Sequence, residues 1–427
     1  MRQPPPSEIQ LPATTVPVRS TTDVLVVGGG TAGVAAAVAA ARNGADTLLV
    51  ERGTYLGGLA TGGLIILLLT MDDGRGQQVI GGLCQEVVDR LAHRNAAFMP
   101  PPEEWGRDDD RLVEQYRRWG LVNGHGPHNV RYSVAYDAEE MKFALERLCV
   151  ESRVRLMYGA VASEPIGGEG RIEGVVFQGK DGRFAVLAGT VIDASGDLDV
   201  LSAAGAACEK EKVAPWLWFT MGGVREPEAA QGAGLRFFRT IGAGQVLLPW
   251  GATGRVSRMI DATDVDDITY ASVACRELVM AEVDRLRKDV PGFENAYLCH
   301  IADQLDVTES RRLVGRHVLS RDDLDAKFGD VVAVTGHWTK YDAVYNIPYR
   351  ALLPRGLNNA LAVGRCISAD HRAHHATKEI PACFATGEAA GTAAAIGLKH
   401  GVEVADVDVE ALQRQLVSQG AILWPDR

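Results

Sequence analysis

The sequence predicts an α/β protein that is built on a Rossmann-type dinucleotide-binding unit. A short apolar strand, Asp23–Val27, runs into a glycine-rich turn at 28–33. An alanine-rich helix extends over Ala32–Asn43, and a second strand, Thr47–Val50, ends at the acidic residue Glu51. A strand, a tight glycine turn, a helix and a second strand in this order are typical of one βαβ unit of roughly 30 residues.

The glycine turn has the spacing that suits a dinucleotide pyrophosphate. Gly28 permits the turn, Gly30 lets the backbone approach the phosphates, and Gly33 allows the helix and strand to pack closely. Thr31 and Ala32 open the helix, so the free N–H groups of its first turn would face the phosphates. A glycine-rich turn that binds no ligand is the alternative interpretation.

The acidic end of the second strand supports the dinucleotide interpretation. Glu51 lies 18 positions beyond Gly33, and its carboxylate can accept hydrogen bonds from both ribose hydroxyls of an adenosine. Arg52 follows it directly. NAD and FAD both fit a unit of this kind, so the choice between them depends on the rest of the chain.

The remaining elements follow from hydrophobic periodicity and from turn residues. In chain order they are helices over Cys84–Arg94, Asp110–Trp119 and Asp137–Glu151, a strand over Val154–Tyr158, a hairpin of Ile172–Gln178 with Arg183–Leu187, a strand over Val191–Asp193, helices over Val265–Lys288 and Thr308–Leu319, a strand over Ala360–Val363 and a helix over Ile380–His400.

The order of these elements predicts a discontinuous dinucleotide-binding domain with an inserted α+β substrate domain, because the regular alternation is broken twice. The proline-rich N-terminal stretch has no apolar signal-peptide core and is predicted to be an extended tail. The expected division is a tail at 1–22, a dinucleotide-binding domain at 23–75, 130–204 and 355–427, and a substrate or cap domain at 76–129 and 205–354.

Composition and charge exclude several classes of function. The net charge is −11 and no run of Lys and Arg stands out, which argues against nucleic acid and anionic membranes as partners. The most apolar run, Leu64–Leu69, is too short to span a bilayer, so no membrane span is expected. The seven cysteines include no C-x-x-C pair, which argues against a disulfide framework and fits a cytoplasmic protein.

Further glycine-rich segments follow predicted strands, whereas an NAD domain would continue with alternating strands and helices. They are Gly57-Gly58 with Thr61, the segment 194–197, Gly364-Arg365, and 387–391 in the last helix. With these segments the chain resembles FAD-dependent oxidoreductases of the broad group that includes succinate dehydrogenase flavoproteins and p-hydroxybenzoate hydroxylase. The stretches 309–312, 328–330 and 347–350 are similar to a bacterial subgroup of that family, whose members catalyse varied reactions.

The resemblance implies FAD as the cofactor and a Rossmann-type FAD-binding domain. One departure concerns the residues before the last helix, where Lys378-Glu379 stands in place of an expected Arg. The implied cofactor-binding residues are Gly28, Gly30, Thr31, Ala32, Gly33, Glu51, Arg52, Gly57, Gly58, Thr61, Val161, Ala194, Ser195, Gly196, Asp197, Gly364, Arg365, Pro381 and Ala382.

The implied function is an FAD-dependent oxidoreductase that oxidises a small organic substrate by hydride transfer to the flavin, as a dehydrogenase or an oxidase. A flavin monooxygenase or a C=C reductase is the alternative, and a non-catalytic or redox-neutral flavoprotein is a third hypothesis. Only one dinucleotide fingerprint is visible, so the electron acceptor is left open among oxygen, a quinone, nicotinamide and a protein. A homo-oligomer is also left open.

The candidate catalytic groups flank Gly364-Arg365. His371 is the first choice as a general base, because neutral imidazole accepts protons near neutral pH and the residue lies only six positions beyond Arg365. Tyr345 is a candidate hydrogen-bond partner, and Lys378 or Arg350 a candidate anchor for an anionic substrate. An alternative is that His371 merely caps a loop.

Two other clusters are weaker candidates. The run Asp370-His371-x-x-His374-His375 could suggest a metal, but it has no well-spaced further ligand and no metal is expected. Arg311 and Arg312 could clamp a substrate carboxylate or could lie on a solvated helix face.

Overall fold

A seven-stranded sheet forms the centre of the protein. The computed structural model describes residue 9 and residues 12–168, 170–225, 227, 230, 236–249, 256 and 258–424. The strands lie in the order β6-β2-β1-β9-β8-β7, and β18 pairs with β9. Their bounds are β1 Val18–Val27, β2 Thr47–Glu51, β6 Arg155–Tyr158, β7 Val161–Gly168, β8 Arg171–Gly179, β9 Gly182–Asp193 and β18 Ala360–Ala362.

The parallel part of this sheet confirms the predicted Rossmann-type α/β fold. β1 pairs in parallel with β2, where Val24 is the partner of Thr47, and with β9, where Val24 is the partner of Thr190. β1 begins at Val18, so the last residues of the predicted extended tail belong to the sheet. β9 is one continuous strand, whereas the sequence predicted its two ends as separate strands.

Two apolar clusters cover the two faces of β1. Side chains alternate between the faces of a strand, so Val24 and Val26 pack on one side and Leu25 and Val27 on the other. All four are buried, which explains the continuous apolar run of the sequence. The helices are α1 Thr31–Arg42, α2 Gly82–His93, α3 Asp110–Arg117, α4 Ala138–Glu151, α5 Asp199–Ala203, α6 Val265–Asp289, α7 His371–Thr377, α8 Ile380–His400 and α9 Val409–Ser418.

The helices α1 and α8 pack in unusually close contact. A Cβ atom placed on Gly387 would lie 2.1 Å from the backbone oxygen of Ala32, and one on Gly391 would lie 2.0 Å from that of Ala36. Only glycine allows this approach, since a methyl group at either position would overlap the backbone of α1. The small residues of α8 therefore hold α1, and with it the glycine turn that begins α1, in position.

Smaller sheets surround the central one. They are ordered β12-β13-β11-β14, β3-β5-β4, β10-β15 and β16-β17. The strand bounds are β3 Leu67–Leu68, β4 Ala97–Phe98, β5 Val134–Tyr136, β10 Cys208–Lys210, β11 Phe219–Gly222, β12 Phe238–Arg239, β13 Val246–Leu248, β14 Tyr297–Ile301, β15 Arg311–Leu313, β16 Val331–Gly336 and β17 Val344–Pro348. Short 3₁₀ helices span Gly58–Ala60, Pro102–Glu104, Arg321–Asp323, Tyr349–Ala351, Gly364–Cys366 and Val404–Asp406. No helix among the described residues is long and apolar enough to cross a membrane.

The predicted helix over Thr308–Leu319 is wrong. The segment contains β15, which pairs in antiparallel fashion with β10. The Arg312 guanidinium is buried, forms an ion pair with Glu309, and donates a hydrogen bond to the backbone oxygen of Ala369. Ala369, and Glu209 of β10, which also pairs with Arg312, come from other parts of the chain, so tertiary contacts override the local charge pattern that suggested a solvated helix.

Candidate active site

A cavity of about 510 Å³ lies at the carboxyl ends of the parallel strands β1, β2, β9 and β18. Ligands of open α/β sheets bind in this position. We call it the dinucleotide cavity. The predicted cofactor-binding residues that line it are Gly28, Gly30, Thr31, Ala32, Glu51, Arg52, Gly57, Gly58, Ala194, Ser195, Gly196, Asp197, Gly364 and Arg365.

The turn after β1 wraps tightly around the strand end of β9. Gly28 has a φ of +106°, and a Cβ atom there would lie 2.4 Å from the oxygen of Ala194. Gly30 differs, because a Cβ atom on it would meet no protein atom within 4 Å. The first glycine therefore serves the protein's own packing, whereas the second leaves open space in the cavity.

Five predicted cofactor residues do not line the cavity. Thr61 donates its hydroxyl to the oxygen of Leu56 at 2.7 Å, so it braces the second glycine segment. Val161 lies at the start of β7 and is half exposed. Pro381 and Ala382 lie at the start of α8 between Ile380 and Cys383, which do line the cavity. The five are Gly33, Thr61, Val161, Pro381 and Ala382.

The sequence interpretation missed the opposite wall of the cavity. This wall comes from the loop between β14 and β15 and from the start of α6, which carry no recognisable motif. One contact ties the loop to the second glycine segment, since the backbone N–H of Gln304 donates to the oxygen of Gly62 at 3.1 Å. The residues concerned are Ala262, Ile268, Ser272, Asp303, Gln304, Leu305 and Val307.

Glu51 joins two turns at the edge of the cavity. Its Oε2 accepts a hydrogen bond from the N–H of Gly29 at 2.6 Å, and its Oε1 accepts one from Gly53 at 2.7 Å. Each carboxylate oxygen can accept more than one hydrogen bond, so both can also receive hydroxyl groups from a ligand. The carboxylate is thereby held in place before any ligand binds.

An ion pair closes the cavity at the ends of β9 and β18. Arg365 Nη2 lies 2.9 Å from Asp197 Oδ1, which also accepts the hydroxyl of Ser310 at 2.5 Å. Arg365 Nη1 is buried and has no hydrogen-bond partner among the described residues. A buried guanidinium nitrogen in this state is a donor for a ligand in the cavity.

A second cavity of about 350 Å³ adjoins the first, and Lys378 lines both. We call it the adjoining cavity. Its polar lining includes Asp306, Glu309, His371 and Glu379. Its apolar walls are formed by Ile65, Leu67, Leu69, Trp218, Phe238 and Trp338.

The partition between the cavities is one layer of residues thick. Leu305 and Val307 face the dinucleotide cavity, whereas Asp306 between them faces the adjoining cavity. Likewise Glu379 lines the adjoining cavity and the next residue, Ile380, lines the first. A molecule in the adjoining cavity would therefore lie next to a ligand in the dinucleotide cavity.

A carboxylate and two histidines lie close together in the adjoining cavity. Glu309 is buried, and its Oε2 accepts a hydrogen bond from His371 Nδ1 at 2.7 Å. His374 Nε2 donates to the backbone oxygen of Arg365 at 2.8 Å. Burial holds the pKa of His374 well below its ordinary value, so this ring is neutral. On its other side Glu309 is paired with Arg312.

Lys378 is neutralised by its neighbour. Its Nζ donates to Glu379 Oε1 at 2.8 Å. Burial lowers the pKa of Lys378, but the charges of Glu379 and Asp306 raise it by more, so the amine stays protonated. Asp306 is buried and accepts a hydrogen bond from Trp218 Nε1 at 2.9 Å, and burial raises its pKa.

The structure does not bring all four candidate catalytic residues together. His371 and Lys378 line the adjoining cavity. Tyr345 is buried in β17 and Arg350 lies in the next turn, and neither lines either cavity. Arg350 is instead paired with Asp330 at 2.7 Å. Within the described part of the chain, no group of three or more His, Cys, Asp or Glu side chains is placed to hold a metal ion.

A family model with the description FAD dependent oxidoreductase matches residues 23–240 and 226–416. The chain belongs to this family. This confirms the predicted family and its enzymatic, oxidoreductase character. No curated protein matches the chain in sequence.

Solved structures of similar fold include a monooxygenase and a hydroxylase. One is the p-nitrophenol 4-monooxygenase PnpA from Pseudomonas putida DLL-E4, which is 11% identical, with a TM-score of 0.52 over 94% of this chain and 85% of that one. Another is CabE, an aromatic hydroxylase from angucycline biosynthesis, which is 13% identical, with a TM-score of 0.50 over 94% of this chain and 68% of that one. At such identities the likeness shows the fold alone.

The cofactor of this FAD-dependent oxidoreductase is FAD, as predicted, and the donor groups around the dinucleotide cavity fit it. Helix α1 begins after Gly30, which has no side chain to cap the free N–H groups of the first turn, so these can bind a pyrophosphate. Helix α8 also begins at the cavity without a side-chain cap. The buried Arg365 Nη1 adds a third unpaired donor. Three such donor sets suit a ligand that is rich in acceptor atoms along its length.

Proposed function

We propose that this enzyme oxidises a small organic molecule by hydride transfer and that the molecule binds in the adjoining cavity. The observation that carries the proposal is the shared wall, since Lys378 lines both cavities and single residues separate them elsewhere. FAD, when bound, accepts a hydride from such a substrate. The apolar walls of the adjoining cavity would exclude water from the substrate's body.

His371 is the proposed general base. Its Nδ1 lies 2.7 Å from Glu309 Oε2 and donates its hydrogen there, so a ring that carries a single proton has its lone pair on Nε2. Nε2 can then take a proton from an O–H or N–H group of the substrate while the neighbouring C–H bond loses its hydrogen as hydride. Glu309 acts as a positioning residue for this tautomer, and Arg312 holds Glu309.

Lys378 does not fit its expected role as an anchor for an anionic substrate. Its charge is matched by Glu379 at 2.8 Å, and removing the lysine from this partner would leave a buried carboxylate unpaired. We propose that Lys378 instead fixes the boundary between substrate and cofactor. Arg350 is likewise occupied by Asp330 and belongs to a different part of the surface.

The test is anaerobic mixing of the holoenzyme with a set of small metabolites while the absorbance of oxidised flavin is followed. With an active substrate, His371→Ala should lower the rate constant of flavin reduction by about 10²-fold or more at unchanged FAD content. Arg372→Ala is the matched control, since Arg372 is the next residue, is exposed and lines neither cavity. A loss below about threefold in His371→Ala would exclude His371 as the base.

Analysis of the product distinguishes the reaction types. A dehydrogenase or oxidase yields a product that has lost two hydrogens relative to the substrate. Oxygen from labelled O₂ in the organic product would identify a monooxygenase, and reoxidation of reduced enzyme by an unsaturated compound would identify a C=C reductase. Failure of every metabolite to reduce the flavin would contradict the proposal.

A further inference from the structure

We infer that the substrate of the adjoining cavity is an amine that enters as its ammonium form, with an apolar body. The inference deepens the proposed function and rests on it. Three carboxylates line the cavity, those of Asp306, Glu309 and Glu379, against a single ammonium group, that of Lys378.

Two of the three carboxylates have cationic partners within the protein. Glu379 is bonded to Lys378 at 2.8 Å, and Glu309 is paired with Arg312 from behind the cavity wall. The third, Asp306, differs, because no basic side chain among the described residues forms an ion pair with it. Its side chain accepts the N–H of Trp218, which is a neutral donor.

Asp306 is therefore a buried carboxylate without an ion-pair partner among the described residues, and the positive charges of Lys378 and Arg365 act on it only at longer range. It is only 5% exposed. A carboxylate in such a place is costly unless a cation pairs with it or it takes up a proton, and burial raises its pKa accordingly. The ammonium group of a ligand would supply a positive charge beside Asp306. The side chains around the carboxylate would not have to move, because the carboxylate already faces the cavity.

Two of the three histidines that line the cavity do not supply that charge. Burial holds the pKa of His374 well below its ordinary value and lowers the pKa of His375 to about 4, with the charge of Lys378 acting in the same direction. Both rings are neutral near pH 7 and add no positive charge to the wall. A ligand carboxylate would meet a surplus of negative charge, and Lys378 is not free to bind it.

The apolar walls define the rest of the ligand. Trp218, Phe238 and Leu67 line the cavity, so an aromatic or branched aliphatic group can be buried there. A volume of about 350 Å³ is small for a binding pocket, which restricts the ligand to a compact molecule.

The reaction that follows is balanced with FAD as the oxidant. The ammonium group first gives one proton to His371, which leaves a neutral amine. Loss of the Cα–H hydrogen as hydride to bound FAD, with formation of a C=N bond from the nitrogen lone pair, would then give an iminium ion. Water would add to this ion and the nitrogen would leave as ammonium ion, so the products would be a carbonyl compound, ammonium ion and reduced cofactor, with one proton on His371.

The experiment compares three ligands of the same size and different charge on the FAD-loaded enzyme. Dissociation constants are measured by titration calorimetry for benzylammonium, benzyl alcohol and benzoate. We expect benzylammonium to bind about tenfold or more tightly than benzyl alcohol, because a hydrogen bond to a charged group is about twice as strong as a neutral one, and benzoate to bind most weakly. Equal or tighter binding of the alcohol or of benzoate, or no binding of any of the three, would overturn the inference.

Asp306→Asn tests the residue. Asparagine keeps an oxygen for the N–H of Trp218 and removes only the charge, so the preference for benzylammonium over benzyl alcohol should fall about tenfold while the binding of benzyl alcohol is unchanged. Asp322→Asn is the control, because Asp322 is exposed and lines neither cavity. An unchanged preference in a folded, FAD-containing Asp306→Asn protein would overturn the assignment.

The comparison of the three ligands measures binding to the unaltered enzyme, so it requires neither catalytic turnover nor a variant that folds. The ligand ranking of the unaltered enzyme can therefore fail while another class of substrate still reduces the flavin, which would leave the proposed function in place. Conversely, a clear preference for the ammonium ligand together with a failure of all metabolites to reduce the flavin would contradict the proposed function alone.

Discussion

Replacing Gly30 with alanine should weaken FAD binding without harming the fold. Gly30 has a φ of −64° and a ψ of 176°, which alanine adopts without strain. The added methyl group would meet no protein atom within 4 Å, so its only close neighbour would be the ligand in the dinucleotide cavity. We therefore expect the free energy of unfolding of the apoprotein to stay the same or to rise by about 0.4–1 kcal/mol.

The magnitude for the cofactor follows from packing. One extra methyl group in a filled space typically costs about 1–3 kcal/mol, which corresponds to a roughly 5- to 150-fold rise in the dissociation constant of FAD. The assay is titration of apoprotein with FAD by flavin fluorescence, combined with denaturant unfolding of the apoprotein. Gly329→Ala is the matched control, since its methyl group also meets nothing within 4 Å and it lies outside both cavities. Unchanged FAD affinity in Gly30→Ala, or a loss of apoprotein stability, would refute the reasoning.

Three further predictions concern other parts of the protein. Gly387→Ala should lower the free energy of unfolding by about 1–3 kcal/mol, because its Cβ atom would lie 2.1 Å from the backbone oxygen of Ala32. The control variant Gly329→Ala should leave the free energy of unfolding unchanged. Equal unfolding curves for the two variants would contradict this prediction. Burial raises the pKa of Glu388 to about 7 from its ordinary value of 4.5, so the folded state binds its proton more tightly than the unfolded state does. Its contribution to the free energy of unfolding is full below about pH 4.5 and falls by about 3 kcal/mol as the pH rises to about 7. Denaturant unfolding of Glu388→Gln at several pH values should not show this fall in stability. A fall equal to that of the unaltered protein would exclude Glu388 as its source. Burial raises the pKa of the Cys383 thiol to about 12, so Cys383→Ser should leave the rate of flavin reduction by substrate largely unchanged, and a fall of tenfold or more would show that a thiolate takes part.

The βαβ unit could be predicted from the sequence because its signals are local. The glycine spacing, the apolar strand and the alanine-rich helix each concern neighbouring residues, and the structure has them in the predicted order. Some glycines are informative for the same reason, since Gly28 and Gly387 mark backbone positions where a side chain would not fit. The identity of the cofactor also followed from such segments, by their resemblance to a family that the whole chain then matched.

The errors fall where distant partners decide the structure. The segment around Arg312 was predicted to be a helix, yet its charges are satisfied by residues from β10 and from the turn before α7, so it forms a strand. The wall formed by the loop before β15 carries no motif and was missed. Local charge patterns do not reveal whether a side chain will be solvated or buried with a partner.

The sequence by itself determined the fold class, the family and most residues of the dinucleotide cavity. Only the tertiary structure decided the character of the adjoining cavity. Lys378 suggested an anionic substrate when considered alone, but Glu379 neutralises it and Asp306 lacks a cationic partner among the described residues. The physical reason is that the charge of a pocket is the sum of the charges of groups that folding brings together. Burial raises the free-energy cost of each unpaired charge.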